Sequence, residues 1–234
     1  VLLKVNFPLA TSSNTATYEI PFGAITRTTN PQTDAEKAKW EVPALRWADI
    51  GNKNFGVSIL TQGKHGFDAS PNHLRLTLLK APNWPDPQAD RGVHQFTYAI
   101  YPHSSTWQQA RTVHHARELS IAPVVHRTKS MATPQKIKQP KSQSFLKIHN
   151  DNIILSALKP TEDDSNDIIL RCYEAHGEAV DLDIECSIGI ADSLDNSIRR
   201  TDLLEEPVEN HRSTHIKPWQ ISTHRLKKKD LASR

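Results

Sequence analysis

Cysteine is nearly absent from this 234-residue chain, with only Cys172 and Cys186 present. That excludes a disulfide scaffold and points to a reducing compartment. There is no glycine-rich phosphate loop and no GxSxG nucleophile elbow. No apolar run approaches the ~20 residues of a spanning helix, so no membrane partner is expected. Neither sign of charge dominates: 29 basic residues face 26 acidic ones, a formal charge of +3. That balance is too even for a nucleic-acid surface. Fifteen prolines, spread along the chain, argue against long helices. The chain opens Val1-Leu2-Leu3-Lys4-Val5, without Met or a signal-peptide layout, and reads as part of a longer protein. With so few cysteines, the expected setting is cytoplasmic.

What is present alternates with period two. Leu74, Leu76 and Leu78 share one face, with Arg75 and Thr77 on the other. His94, Phe96, Tyr98 and Ile100 share a face opposite Gln95, Thr97 and Ala99. Val180, Leu182, Ile184, Cys186, Ile188 and Ile190 alternate with polar residues and predict one long amphipathic strand. The turn Ala175-His176-Gly177-Glu178 predicts a hairpin between Ile168–Glu174 and Val180–Ile190. In that hairpin Cys172 falls opposite Asp181 rather than Cys186, too far out of register for a disulfide. Two buried free thiols are therefore expected.

Thr29 to Lys39 reads as a polar loop, and Thr106 to Glu118 as a helix ending before Pro123. Val125 to Ser144 is basic, polar and aperiodic, with two prolines, as expected of a linker. The predicted organisation is a larger β-domain over 1–124, a linker over 125–144 and a smaller β-sandwich over 145–234. The fold class is all-β with little helix.

Twelve histidines invite a metal reading, but their spacing does not support one. His114 and His115 are adjacent and point apart in any regular structure. His211 and His215 have helical spacing, yet their segment is bounded by prolines and lacks a zincin Glu. Asp181, Asp183 and Glu185 would share one strand face, the wet side of an amphipathic strand. No metal site is expected in the chain.

One loop differs in kind. Asn83-Trp84-Pro85-Asp86-Pro87 sets a large aromatic among prolines, and Asp90-Arg91-Gly92-Val93-His94 puts a charged pair beside a glycine. Long structured loops tend to carry function. Sugars are recognised by stacking on aromatic faces and by charged hydrogen bonds to hydroxyls. Trp84, Asp90, Arg91 and His94 supply both kinds of group. An internal Asp–Arg pair clamping the loop over the sheet is the other reading of the same residues. The preceding turn, with Lys64, His65 and Asp68 among Gly63 and Gly66, brings its backbone close to a ligand or domain, or is a plain hairpin turn.

The stretches YEIPFGAITR (Tyr18 to Arg27), VPALRWADI (Val42 to Ile50), GVSILTQGKHGFDAS (Gly56 to Ser70) and the run from His73 to His103 occur in an informative order. Ile154 to Glu174, Thr201 to Pro207 and Ile216 to Leu226 follow. Together these segments resemble the C-terminal β-domains of glycoside hydrolase family 38 α-mannosidases of the bacterial and cytosolic type. The resemblance implies a large antiparallel β-sandwich, of the galactose-mutarotase-like supersandwich type, followed by a smaller β-sandwich. It implies retaining hydrolysis of terminal α-linked mannose, which needs two carboxyl groups about 5 Å apart. In the family those groups and a divalent metal, usually zinc, sit on an N-terminal α/β barrel, joined to the β-domains by a helical bundle.

No residue here matches a catalytic or metal position of the family, so none is carried over. The expected partners are that barrel and bundle, with α-mannoside glycans as substrate. The chain itself is expected to need no cofactor, and the full-length enzyme to need zinc. Lys64, His65, Asp68, Trp84, Asp90, Arg91 and His94 are expected near the sugar cleft. The family turn commonly has Tyr where this chain has His65, and Gly-Tyr where it has Gly66-Phe67, which alters the hydrogen bonding there. Two further roles stay open: an independent carbohydrate-binding module near Trp84, and an interaction scaffold with an exposed apolar face.

Overall fold

The structure, a computed structural model, describes residues 1–127, 142–163, 165–186, 197–209 and 212–228. The chain divides into two compact units, Val1–Ala122 and Pro123–Arg234. Residues 128–141 of the expected linker lie outside the described residues.

The first unit contains β1 (Leu2–Pro8), β2 (Thr15–Ile20), β3 (Gly23–Thr28), α1 (Asp34–Lys37), β4 (Val42–Pro43), β5 (Trp47–Gly51), β6 (Phe55–Gln62), β7 (Gly66–Ser70), β8 (His73–Lys80), β9 (Thr97–Ser104) and α2 (Thr112–Ser120). Its strands form a four-stranded sheet, β1-β8-β7-β4, and a five-stranded sheet, β3-β2-β5-β6-β9. The sheets meet through alternate residues: Phe7, Phe67, Leu74 and Leu76 from one, Ala16, Tyr18, Ile50 and Ile59 from the other. Each such buried Leu or Ile is worth about 1.5–3 kcal/mol of transfer free energy.

Strand β6 is buried on both faces, because α2 covers the face turned away from the other sheet. Thr112, Val113 and Ala116 of α2 are the buried contacts. The expected helix from Thr106 is therefore shifted: residues 107–111 form turns, and Arg111 enters α2 in a left-handed conformation at φ 55°.

The loop expected over Thr29 to Lys39 contains the single turn α1. Its capping box is complete: the Thr33 hydroxyl accepts from the Glu36 N–H, and Glu36 accepts from the Thr33 N–H. The Thr-x-x-Glu spacing was a readable signal for it.

The expected shared face of His94, Phe96, Tyr98 and Ile100 needs correcting at both ends. The strand starts at Thr97, so His94 and Phe96 belong to the loop. Tyr98 and Ile100 do lie on the inner face, opposite Thr61 and Ile59. They are nevertheless 37% and 55% exposed, on the edge strand of the five-stranded sheet. Phe7 of the edge strand β1 packs against Tyr98, with ring centroids 5.8 Å apart.

The second unit contains β10 (Leu146–Ile148), β11 (Ile153–Pro160), β12 (Ile168–Glu174), β13 (Val180–Asp181), β14 (Ile184–Cys186), β15 (Ile198–Thr201), β16 (His215–Ile216) and β17 (Ile221–Leu226). A four-stranded sheet, β11-β12-β17-β15, accompanies two-stranded pairs β10-β14 and β13-β16. Ile153, Leu170, Cys172, Ile184, Ile216 and Leu226 share its core.

The predicted hairpin is not formed. Strand β12 pairs with β11 and β17, while β13 pairs with β16. Buried Glu174 explains the divergence: its carboxylate accepts from the N–H groups of His176, Gly177 and Trp219, which turns the chain out of the sheet. The predicted long strand is broken between Asp181 and Ile184, and Ile188 and Ile190 lie outside the described residues.

Cys172 stands opposite Leu155 and Ser222, not Asp181. Both cysteines are free; Cys172 is buried, while Cys186 is half-buried rather than fully so. Burial pushes the Cys172 thiol up to about 12. Among the described residues no helix is long and apolar enough to cross a membrane.

Candidate functional site

The residues expected near a sugar fall into three groups. The first is a contiguous chain. Lys64 Nζ lies 4.4 Å from the centre of the Phe96 ring, and the His94 ring stacks on the same Phe96 with centroids 6.0 Å apart and planes 7° from parallel. His94 Nε2–H donates to the Asp90 carbonyl at 2.9 Å, closing the end of the loop. Asp90 adopts φ 58° to present that carbonyl.

The second group is committed to the scaffold. His65 Nδ1–H donates to the carbonyls of Ala44 and Leu45, at 3.0 and 3.1 Å, and fastens the turn. Asp68 is fully buried and holds Lys4 and Arg75 together in an ion-pair cluster beneath the sheet. A buried carboxylate with two cations is a structural node, and removing one member leaves charge unpaired.

The third group is free. Trp84 is 84% exposed, so its indole face is open to solvent. Asp90 and Arg91 are exposed and form no ion pair with each other, so the clamp reading of this loop does not hold. The structure thus joins Lys64, His94 and Asp90 and leaves Trp84 and Arg91 presented separately.

A second polar centre was not anticipated from the sequence. Asp49, Ser58, His103 and Thr112 meet on the face of the five-stranded sheet that α2 covers. Ser58 Oγ–H donates to Asp49 Oδ2 at 2.8 Å, and His103 Nε2–H donates to the same oxygen at 2.8 Å. Thr112 Oγ1 lies 3.1 Å from Ser58 Oγ and ties α2 to the knot.

Two glycines make the geometry possible. Gly51, Gly56 and His103 lie side by side across β5, β6 and β9. A Cβ at Gly56 would stand 2.5 Å from His103 Cε1, so the imidazole crosses β6 directly over this glycine to reach Asp49. Burial pulls the His103 pKa down, but the Asp49 hydrogen bond and charge more than offset it and hold the imidazole above its ordinary value.

Serine, histidine and aspartate in contact do not make this a nucleophilic triad. Ser58 gives its proton to the carboxylate directly, and His103 offers both partners the same nitrogen. A triad needs the histidine between the other two, each on its own nitrogen. The knot fixes α2 to the sheet.

In the second unit Asp181 pairs with His215 at 3.0 Å, and Glu185 pairs with Lys147 at 3.3 Å. His211 lies outside the described residues. Among the described residues no three His, Cys, Asp or Glu side chains gather as a metal site. No set of side chains among the described residues fits a zinc ion.

Comparisons with known proteins agree across the chain. Residues 1–88 match the model of the glycosyl hydrolases family 38 C-terminal domain. Residues 152–224 match that of the family 38 C-terminal beta sandwich domain. The chain is 36% identical over 208 residues to alpha-mannosidase 2C1 of Homo sapiens, covering 88% of this chain and 19% of that protein. It is 31% identical over 252 residues to an alpha-mannosidase of Saccharomyces cerevisiae, covering 96% of this chain and 22% of that protein. The chain thus spans about a fifth of the length of these relatives. The crystal structure of an alpha-mannosidase from Enterococcus faecalis V583 superimposes with a TM-score of 0.75 over 97% of this chain and 26% of that one, at 17% identity.

Proposed function

The chain belongs to glycosyl hydrolase family 38, as C-terminal β-structure of that family, and from that premise we propose that it is the non-catalytic C-terminal part of a retaining α-mannosidase. Its role is to complete and stabilise a catalytic barrel and helical bundle elsewhere in the same protein, with zinc held by that barrel. The observation that carries this reading is the uncovered inner face of β9. Tyr98 and Ile100 point toward the sandwich interior yet remain 37% and 55% exposed, an arrangement that suits a further packed element. The two free cysteines support a cytoplasmic setting for the whole.

On this reading Lys64, Trp84, Asp90, Arg91 and His94 form an outer wall of the sugar cleft. His65 and Asp68 hold that wall from behind. The test has two parts. The 234-residue chain, supplied with zinc, should release no chromophore from an aryl α-mannoside, and zinc-dependent turnover would overturn the assignment. In the full-length enzyme Arg91→Ala should lower kcat/KM by about tenfold, the value of one charged hydrogen bond. Unchanged kinetics would remove Arg91 from the wall.

A second reading, an independent carbohydrate-binding module, is favoured by the 84% exposure of Trp84. Saturable calorimetric binding of mannose that Trp84→Ala abolishes would select it.

A further inference from the structure

Beside the buried knot lies a pocket of about 220 Å³, on the α2-covered face of the first unit, lined by Thr17, Asp49, Asn52, Lys53, Trp107 and Gln108 among others. It lies at the opposite ends of β6 and β9 from the Lys64 turn and the Trp84 loop. Its floor is the carboxylate of Asp49, a residue only 4% exposed. Both internal hydrogen bonds of that carboxylate, from Ser58 and His103, go to Oδ2. Oδ1 has no hydrogen-bond partner among the described residues and lies on the Gly51 side, where a Cβ would sit 3.4 Å from it. Gly51 is itself part of the pocket wall.

A knot that served only to fasten α2 has no need of a carboxylate oxygen directed at a cavity. Oδ1 is not sealed inside the chain but open to the pocket, so its donor is supplied from that space. Donors surround the same space. The Lys53 ammonium, the Asn52 side-chain amide N–H groups and the Gln108 carboxamide all lack hydrogen-bond partners among the described residues. Trp107 supplies an apolar wall, fixed by packing on Trp47 with ring centroids 4.8 Å apart.

We propose that this pocket binds one uncharged pyranose unit through a vicinal diol. One hydroxyl donates to Asp49 Oδ1, and its neighbour accepts from Lys53 or Asn52. Few small groups both donate and accept on adjacent atoms, and the diol does so without net charge. That matches a pocket lined by one carboxylate and one ammonium. The C–H face of the ring lies against Trp107. The pocket is large enough for a single sugar ring.

The proposal stands on the chemistry of the pocket and does not depend on the role assigned to the Trp84 loop. The experiment is a 1H–15N titration of the 234-residue chain with methyl α-D-mannopyranoside. Saturable shifts at the Gly51 and Asn52 amides and the Trp107 indole N–H are expected. Asp49→Asn should weaken them by about tenfold. Because Asp49 also holds His103, the double variant Lys53→Ala/Gln108→Ala, away from that knot, provides the second arm and should also weaken binding by about tenfold.

No shift at these residues at high sugar concentration overturns the pocket, as do shifts that both variants leave unchanged. Shifts confined to Trp84 and its neighbours also overturn it, while supporting sugar contact by the loop.

Discussion

Among the described residues each unit of this chain buries one histidine on a strand, and the two respond to protons in opposite directions. In the first unit His103 reaches across β6 to the Asp49 carboxylate, 2.8 Å away, and is held above its ordinary pKa of 6.5. In the second, His224 is fully buried on β17 with only the Ser222 hydroxyl, 2.9 Å from its Nε2, and Arg200 acts on it as a like charge. Burial first, and Arg200 second, pull it down from 6.5 to about 4. Burial alone therefore does not set the charge of a core histidine. The neighbour does.

The consequences for stability have opposite signs. A folded-state pKa raised above the unfolded value stabilises fully below the unfolded value, and the gain is lost as pH rises through the folded one. The first unit should thus weaken as pH climbs above 6.5 through the raised His103 titration. A depressed histidine pKa works the other way. The second unit should weaken as pH falls from 6.5 through about 4, because only the unfolded chain takes up the proton.

The comparison breaks most severely at Asp49. Asp49→Ala leaves the His103 imidazole buried without its counter-charge, and should cost the first unit about 3 kcal/mol at acidic pH. It should also reverse the pH response of that unit, making it acid-sensitive like the second. Fluorotryptophan NMR reads the two units separately, because Trp47 and Trp107 lie in the first and Trp219 is the one tryptophan of the second. If the variant still loses stability toward alkaline pH, Asp49 is not what holds the His103 proton.

The next effect is the acid response of the second unit in the unaltered chain. Between pH 6.5 and about 4, His224 should remove about 3 kcal/mol of stability, the equivalent of its displacement from the ordinary value. His224→Gln, which keeps a partner for Ser222, should flatten that slope and leave the Trp47 and Trp107 signals unchanged. A slope that survives the substitution assigns the acid response to another group.

Neither histidine stood out in the sequence, and the reason is geometric. Asp49 and Ser58 sit on neighbouring strands, but His103 is 54 residues from Asp49, and the three meet only through the register of β5, β6 and β9. Period-two alternation located the core positions Leu74 and Leu76, and the ordered segments indicated an all-β region. Alternation cannot say which strand is a neighbour. The run from Val180 alternates well, yet Glu174 collects three N–H groups and diverts the chain before a hairpin closes. The exposed loop residues Trp84 and Arg91 were legible as composition, whereas the commitment of His65 and Asp68 to the scaffold depends on partners outside their own segment.

The smallest expected difference lies between two glycines, and it sharpens the comparison because its pH dependence differs more than its size. Gly177 sits at φ 83°, and a Cβ there would stand 2.7 Å from the Trp219 ring, so both backbone and packing oppose a side chain. Gly177→Ala should destabilise the second unit by about 1–2 kcal/mol at any pH, since no titrating contact changes. Gly56 carries no such backbone conformation, and the atom its Cβ would meet is His103 Cε1, at 2.5 Å. The imidazole can swing aside, so Gly56→Ala should cost the first unit about 1 kcal/mol. Swinging aside also lengthens the bond to Asp49, which lowers the His103 pKa toward 6.5 and erases the alkaline weakening. Fluorine melting curves at acidic and alkaline pH should show the Gly177 variant shifted in parallel and the Gly56 variant shifted mainly at acidic pH. A parallel shift for Gly56→Ala would mean that the crossing over Gly56 does not position the His103 proton.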